Sequence, residues 1–148
     1  MTRSGRYVTV PASMFTVTQI LEFCYGHRLL DYQGKCAHIH GHNGRVEVVL
    51  GSKSLDGQSM VADFSEVERI VRGFVDQNLD HKLLLRRDDP LVEPLRRLDE
   101  PLFLMDQDPT AESIARLICD RARAAGLDVS EVRLWETPTS VACYIHGR

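Results

Sequence analysis

Three histidines lie where two predicted strands can bring their imidazoles together. His27 continues the apolar face of a first strand, and His40 and His42 continue the face on which Val46 and Val48 lie in a second. Side chains two residues apart on a strand point to the same side, about 7 Å apart at their bases, so a neighbouring strand can add a third. Three imidazoles suit zinc, and three protein ligands with one open position are typical of a catalytic site. The alternative interpretation is three separate core histidines.

Cys36 is the cysteine that the pattern connects with chemistry. It precedes His40 by four residues and lies between Lys35 and His38. A thiol close to a cation or a metal ionises more readily and can act as a base or nucleophile. Two alternatives stay open, a fourth zinc ligand that closes the site and a small apolar residue in a loop. The other cysteines fall within predicted strands or a helix, where we expect them to pack as free thiols: Cys24, Cys119 and Cys143.

Acidic and imidazole side chains elsewhere could complete a site. Asp80 and His81 follow a predicted helix, where they could form a proton relay or equally be a solvated pair at the helix end. Glu136 has the same parity as the inward-facing Val132 and Leu134 in the strand predicted over 129–136. Its carboxylate would therefore enter the sheet interior, where it must pair with a cation or a ligand. Glu112 lies in the first turn of a second helix, where a carboxylate interacts favourably with the helix dipole.

The elements that position these residues follow from hydrophobic periodicity. Strands are predicted over 15–28, 40–50, 129–136 and 140–146, and helices begin at the caps Asp63 or Ser65 and at Thr110. The stretch 86–108 reads as a long connection containing a short helix. The order β-β-α-α-β-β predicts one α+β domain over 1–148, with a four-stranded antiparallel sheet and two helices on one face. The other face would need cover, so we expect self-association.

Composition excludes several classes of partner. The chain has 148 residues, a net charge of -3 and a pI near 6.0, so it lacks the cationic surface that nucleic acid binding needs. An apolar run of about 18 residues is absent, as is a hydrophobic signal core at the start of the chain. We therefore expect a cytoplasmic protein that binds neither nucleic acid nor membrane.

Six ordered motifs together resemble one enzyme family. They are FCYGHRL around His27, CAHIHGH from Cys36, VADFSEV from Val61, LDHKLL around His81, PTAES from Pro109 and WETPTSVACY from Trp135. The chain resembles the 6-pyruvoyltetrahydropterin and 6-carboxytetrahydropterin synthases, which have the tunnelling fold. It departs from the commoner F-x-A-A-H motif by having Cys24, Tyr25 and Gly26 before His27.

The resemblance implies a role for each candidate residue. The implied zinc ligands are His27, His40 and His42. The implied catalytic residues are Cys36 as proton acceptor and His81 and Glu136 as relay partners, with Asp80 beside them. The implied contacts to the pterin ring are Glu112 and Thr110, although the sequence does not separate ring binding from proton relay between the two glutamates.

The resemblance also implies a reaction and an assembly. Three residues separate Cys36 from His40, as in bacterial 6-carboxytetrahydropterin synthases of queuosine biosynthesis. The implied activity is a zinc-dependent lyase that converts 7,8-dihydroneopterin triphosphate to 6-carboxy-5,6,7,8-tetrahydropterin, acetaldehyde and triphosphate. The implied assembly is a homo-oligomeric barrel, a hexamer or tetramer, with active sites between subunits. The alternatives are a 6-pyruvoyltetrahydropterin synthase and a non-catalytic zinc module in which Cys36 is the fourth ligand.

Overall fold

The computed structural model describes residues 14–147. A short turn of 3-10 helix, Lys35–Ala37, lies between the first two strands. In chain order the strands and helices are β1 Phe15–His27, β2 His40–Ser52, α1 Phe64–Asn78, β3 Lys82–Arg86, α2 Val92–Arg97, β4 Leu102–Met105, α3 Ala111–Ala124, β5 Val129–Thr137 and β6 Ser140–Ile145.

The strands form one mixed sheet in the order β4-β3-β1-β2-β5-β6. The pairs β1–β2, β2–β5 and β5–β6 are antiparallel, whereas β3 runs parallel to both β1 and β4. The predicted α+β class is confirmed, but the predicted count of four strands is wrong. The two additional strands come from 82–86 and 102–105, which are short apolar runs without the alternation that marks a half-buried strand.

Two capped helices cover one face of the sheet. Asp63 caps α1 by accepting a hydrogen bond from the Ser65 N–H at 2.8 Å, and Thr110 caps α3 by accepting one from the Ser113 N–H at 3.2 Å. The helices bury one stripe each against the sheet. The fully buried side chains of this core include Val46, Val48, Val67, Val71, Val75, Ile114, Ile118 and Leu134. Each such side chain contributes about 1.5–3 kcal/mol, and this burial holds α3 against β5 and β6 and α1 against β1.

The opposite face of the sheet carries no helix within residues 14–147, and it mixes charged side chains with exposed apolar ones such as Ile20, Val141 and Ile145. Glu47 is 9% exposed there and pairs with Arg45 at 2.9 Å and with Arg133 at 3.2 Å. Cys24 and Cys143 are exposed, so the prediction that they pack is wrong for these two, whereas Cys119 is buried as predicted. Both exposed residues have the parity of this opposite face, whereas the core faces the helices. All four cysteines are free thiols, as expected.

The β1–β2 register places the histidines. His27 lies opposite His40 and Tyr25 lies opposite His42 across the antiparallel pair. β1 ends and β2 begins at this end of the sheet, so the three imidazoles lie together there on the helix-covered side. Among the described helices none has the length and apolar character needed to cross a membrane.

Candidate active site and metal centre

The Nε2 atoms of three histidines converge at the end of the β1–β2 pair. The Nε2 atom of His27 lies 2.9 Å from that of His40 and 3.1 Å from that of His42. Nitrogen ligands 2.0–2.1 Å from a tetrahedral zinc ion are about 3.3 Å apart, which is close to this spacing. These three residues therefore form a cluster that could hold a metal ion.

The outer nitrogens of two of these rings are bound to backbone carbonyls. The Nδ1–H of buried His27 donates to the Pro109 carbonyl at 2.6 Å, and that of His40 donates to the His38 carbonyl at 2.8 Å. With Nδ1 protonated, each neutral ring presents an unprotonated Nε2, so two lone pairs face each other across 2.9 Å. A cation between them removes that repulsion, and this chemistry fits zinc.

Electrostatics favour the neutral form of His27. Burial lowers its pKa, while the Pro109 carbonyl and the Glu136 carboxylate act in the opposite direction with smaller effect. The pKa of His27 stays below its ordinary value. A neutral imidazole is the form that coordinates a metal.

Glu136 approaches the cluster from β5 and is held there by Tyr25. Its Oε1 atom lies 3.7 Å from Nε2 of His27 and 4.0 Å from Nε2 of His42, and it accepts a hydrogen bond from the Tyr25 hydroxyl at 3.1 Å. Burial and the negative charge of Glu136 raise the pKa of Tyr25 far above its ordinary value. Tyr25 therefore remains a hydrogen-bond donor at physiological pH, so it fixes this carboxylate oxygen.

A cavity of about 360 Å³ opens beside the cluster, next to the start of α3 and the β5–β6 hairpin. The predicted residues that line it are His27, Cys36, Thr110, Glu112 and Glu136. Pockets for small organic ligands begin at about 300 Å³, so the space suits a bicyclic ring. A thiol and two carboxylates from distant parts of the chain thus line one cavity of ligand size.

Asp80 and His81 lie elsewhere. Asp80 accepts hydrogen bonds from the Cys24 N–H at 2.8 Å and from His81 Nδ1–H at 2.7 Å. Burial raises the pKa of Asp80, but these two donors outweigh it and hold the pKa below its ordinary value. His81 is 79% exposed and lines a second cleft, of about 720 Å³, together with Cys24, His40 and His42. The histidine cluster therefore lies between two cavities, and within one chain His81 and Cys36 line different ones.

The roles of two residues in this site are not predictable from the sequence. Tyr25 reads as an ordinary core aromatic, and its one signal is the departure from the commoner alanine of the motif. The Pro109 carbonyl has no signal, because any residue type offers the same backbone acceptor.

Comparison with known proteins agrees with this geometry. The sequence profile of the family described as 6-pyruvoyl tetrahydropterin synthase matches residues 16–146. The chain belongs to this family. The resemblance inferred from the six motifs is thereby confirmed, as is the prediction of a lyase of the tetrahydropterin synthase type.

Bacterial relatives match most of the chain. The 6-carboxy-5,6,7,8-tetrahydropterin synthase of Haemophilus influenzae is 33% identical over 139 residues, covering 88% of this chain and 99% of the relative. The enzyme of the same name from Rickettsia bellii is 30% identical, covering 89% and 99%, and that from Aquifex aeolicus is 36% identical, covering 74% and 75%.

Solved structures show the same fold. An uncharacterized protein of Wolinella succinogenes superposes with a TM-score of 0.76 at 28% identity, covering 91% of this chain and 99% of its own. The 6-pyruvoyl tetrahydropterin synthase of Caenorhabditis elegans superposes with a TM-score of 0.67 at 20% identity, covering 91% and 97%.

Proposed function

We propose that this enzyme is a zinc-dependent 6-carboxytetrahydropterin synthase. It would convert 7,8-dihydroneopterin triphosphate and water to 6-carboxy-5,6,7,8-tetrahydropterin, acetaldehyde and triphosphate, a step of queuosine biosynthesis. The observation that carries the proposal is the convergence of three Nε2 atoms at the edge of a cavity that also contains a thiol and two carboxylates. The names of the bacterial relatives support the carboxy product.

In this proposal zinc is held by His27, His40 and His42. When bound, it polarises the oxygens of the substrate side chain and acidifies the neighbouring carbon-bound protons. Cys36 removes such a proton as the general base. Glu112 and Glu136 accept hydrogen bonds from the guanidine-like edge of the pterin ring or pass protons, and Glu136 is the carboxylate held beside the ligand nitrogens.

We further propose that two copies of the chain share each site. Cys36 and His81 line different cavities of one protomer, so a relay between them requires His81 and Asp80 from a second copy. The helix-free face of the described sheet and its edge strands β4 and β6 offer surfaces for assembly into a hexamer or tetramer. This arrangement predicts complementation, because an oligomer mixed from C36S and H81A subunits contains some sites with both native residues.

The complementation assay follows turnover after the two inactive variants are unfolded together and refolded. We expect activity to return in the mixture and to be absent when each variant is refolded alone. Persistent inactivity of a mixed oligomer whose subunits have exchanged, as seen by native mass spectrometry, would contradict a shared site.

The principal experiment is mass-spectrometric identification of the product from dihydroneopterin triphosphate, with zinc-replete protein and without oxygen. Carboxytetrahydropterin and acetaldehyde are expected, and removal of zinc by a chelator should abolish them. A pyruvoyl product would instead indicate the related synthase. Bound zinc without turnover would favour a non-catalytic module.

Two cysteine variants test the role of Cys36. C36S should retain zinc and lose turnover, whereas C24S, which alters an exposed thiol in the second cleft, should retain both. Zinc loss in C36S would make the thiol a fourth ligand. Loss of turnover in C24S alone would move the catalytic assignment to that thiol.

A further inference from the structure

The loop between β4 and α3 reaches the metal centre through its backbone. Pro109 is buried, and its carbonyl accepts the hydrogen bond from His27 Nδ1–H at 2.6 Å. This contact joins residues that are 82 positions apart in the chain. The orientation of the His27 ring therefore depends on where this loop lies.

Asp108 fastens the loop to the segment that follows His27. Its Oδ1 atom accepts a hydrogen bond from the Leu30 N–H at 3.1 Å, and its Oδ2 atom lies 3.5 Å from Nη1 of Arg86. Arg86 ends β3 and also donates to Asp31 at 2.8 Å. One carboxylate thus links the residue before Pro109 to backbone only three residues beyond His27.

We propose that Asp108 is a positioning residue for the metal centre. By fastening the loop it keeps the Pro109 carbonyl on Nδ1 of His27, which holds the ring in the tautomer and rotation that direct Nε2 toward His40 and His42. The inference rests on the proposed zinc site and deepens it. It also gives a function to 82–108, because β3 supplies Arg86 and β4 leads into the loop.

The physical reason is the cost of ligand disorder. Without the carbonyl partner the imidazole can turn over or exchange its proton between nitrogens, and only one of the resulting states coordinates. Partners of the outer ring nitrogen typically change metal affinity 10- to 100-fold. Asp108 does not contact His27 itself. It acts indirectly, by holding the loop that carries the Pro109 carbonyl.

Asp108→Ala and Asp106→Ala form a matched pair of variants. Asp106 lies in the same loop, is 86% exposed and pairs with Arg87 at 3.1 Å, so its removal makes the same change of charge. In competition with a chromogenic chelator we expect the zinc Kd to rise about 10-fold in D108A, the lower end of the range for direct partners. The Kd of D106A should be unchanged.

The NMR signal of the His27 ring in metal-free protein is an independent readout. The hydrogen-bonded Nδ1–H of His27 should give a protected, low-field resonance in the native chain and in D106A. It should be lost in D108A, while the thermal unfolding midpoint remains that of a folded protein. A merely structural aspartate would lower the midpoint of both metal-free and zinc-bound protein without moving this resonance or the Kd.

Several outcomes overturn the proposal. They are an unchanged Kd and resonance in D108A, and an equal loss of affinity in D106A. If D108A does not fold, D108N serves, because its amide oxygen still accepts from Leu30 while the attraction to Arg86 is reduced. A rise in Kd of about two- to fivefold is then expected, and no rise refutes the role of Asp108. If the native chain fails to bind zinc, the proposed function fails, yet the ring resonance still tests the positioning.

Discussion

The Arg28–Asp89 pair next to the metal centre allows a quantitative test. Arg28 follows His27 and donates to Asp89 twice, from Nε at 2.7 Å and from Nη2 at 2.6 Å, while Asp89 also accepts from the Leu91 N–H at 2.8 Å. Asp89 is 3% exposed. The perturbation is Asp89→Asn, which preserves volume and removes the negative charge opposite a partly buried guanidinium.

The expected loss of stability follows from this geometry. Breaking a buried ion pair by removing one partner costs about 3–5 kcal/mol. The Arg28 side chain is 18% exposed and the amide can still accept one bond, so we expect about 2–3 kcal/mol. The unfolding entropy of a chain of this length is about 0.3 kcal/mol per kelvin. The midpoint of D89N should therefore fall by about 7–10 °C.

Asp88→Asn is the matched control. Asp88 is the adjacent carboxylate, it is 68% exposed, and it accepts from Arg86 Nε at 2.6 Å. Exposed pairs contribute little, so the midpoint of D88N should change by no more than about 2 °C. Both variants are measured by thermal unfolding at one protein concentration, in a chelator, so that metal binding does not contribute.

The pH dependence supplies the decisive result. Burial raises the pKa of Asp89, but the hydrogen bonds from Arg28 and the Leu91 N–H outweigh it and hold the pKa below its ordinary value. An ionised Asp89 with a lowered pKa stabilises the folded state fully above the pKa of an unfolded Asp, about 3.9. This stabilisation is lost as the pH falls through the pKa of Asp89 in the folded protein. The difference between native chain and D89N should thus be constant from about pH 7 to 5 and shrink below about pH 4. A constant difference throughout, or D89N as stable as D88N, would refute the reasoning.

Three further variants test the metal centre and its neighbours. His42→Ala should weaken zinc binding at least about 100-fold in chelator competition, since each ligand supplies roughly a third of the binding free energy. His38→Ala is the control and should bind zinc normally, because His38 contributes only its backbone carbonyl, which the substitution preserves. An equal loss of zinc affinity in both variants would exclude the assigned ligand set. Tyr25→Phe should raise KM for the pterin by about 10-fold, because the Glu136 carboxylate loses the hydrogen bond from the Tyr25 hydroxyl. An unchanged KM in steady-state assays would show that the position of this carboxylate does not depend on Tyr25. Gly44→Ala would place a methyl 2.9 Å from the Tyr25 ring, so KM should move in the same direction, and a native KM would show that the ring can shift freely.

The convergence of the three histidines was predictable because strand parity has a period of two. A slip of one residue would expose Leu21 and Phe23 if it occurred in β1, or Val46 and Val48 if it occurred in β2, so the pattern fixes which side each imidazole takes. Parity does not, however, measure distance. The approach of the His27 Nε2 atom to about 3 Å from each of the other two required the register, with His27 opposite His40.

The remainder of the site depends on packing between distant segments. The strands β3 and β4 have five and four residues, too few for alternation to emerge. The sequence therefore predicts no strand at β3 and only a connection over 86–108, the stretch that contains β4. Glu112 and Glu136 share a cavity because α3 docks on β5, which no local pattern encodes. The separation of His81 from Cys36 follows from the side of β1 on which β3 pairs, and this too is a property of the complete sheet.

The local origin of the histidine cluster has a consequence for the order of folding. His27 is 13 and 15 positions from its two partner ligands, so all three are present once the hairpin of β1 and β2 has formed. Hairpins close in about 1–10 μs, whereas contacts between distant segments form later. Metal affinity should therefore be acquired in two stages during synthesis. A weak site would arise with the first hairpin, and it would tighten only when Pro109, 82 positions away, arrives to orient the ring.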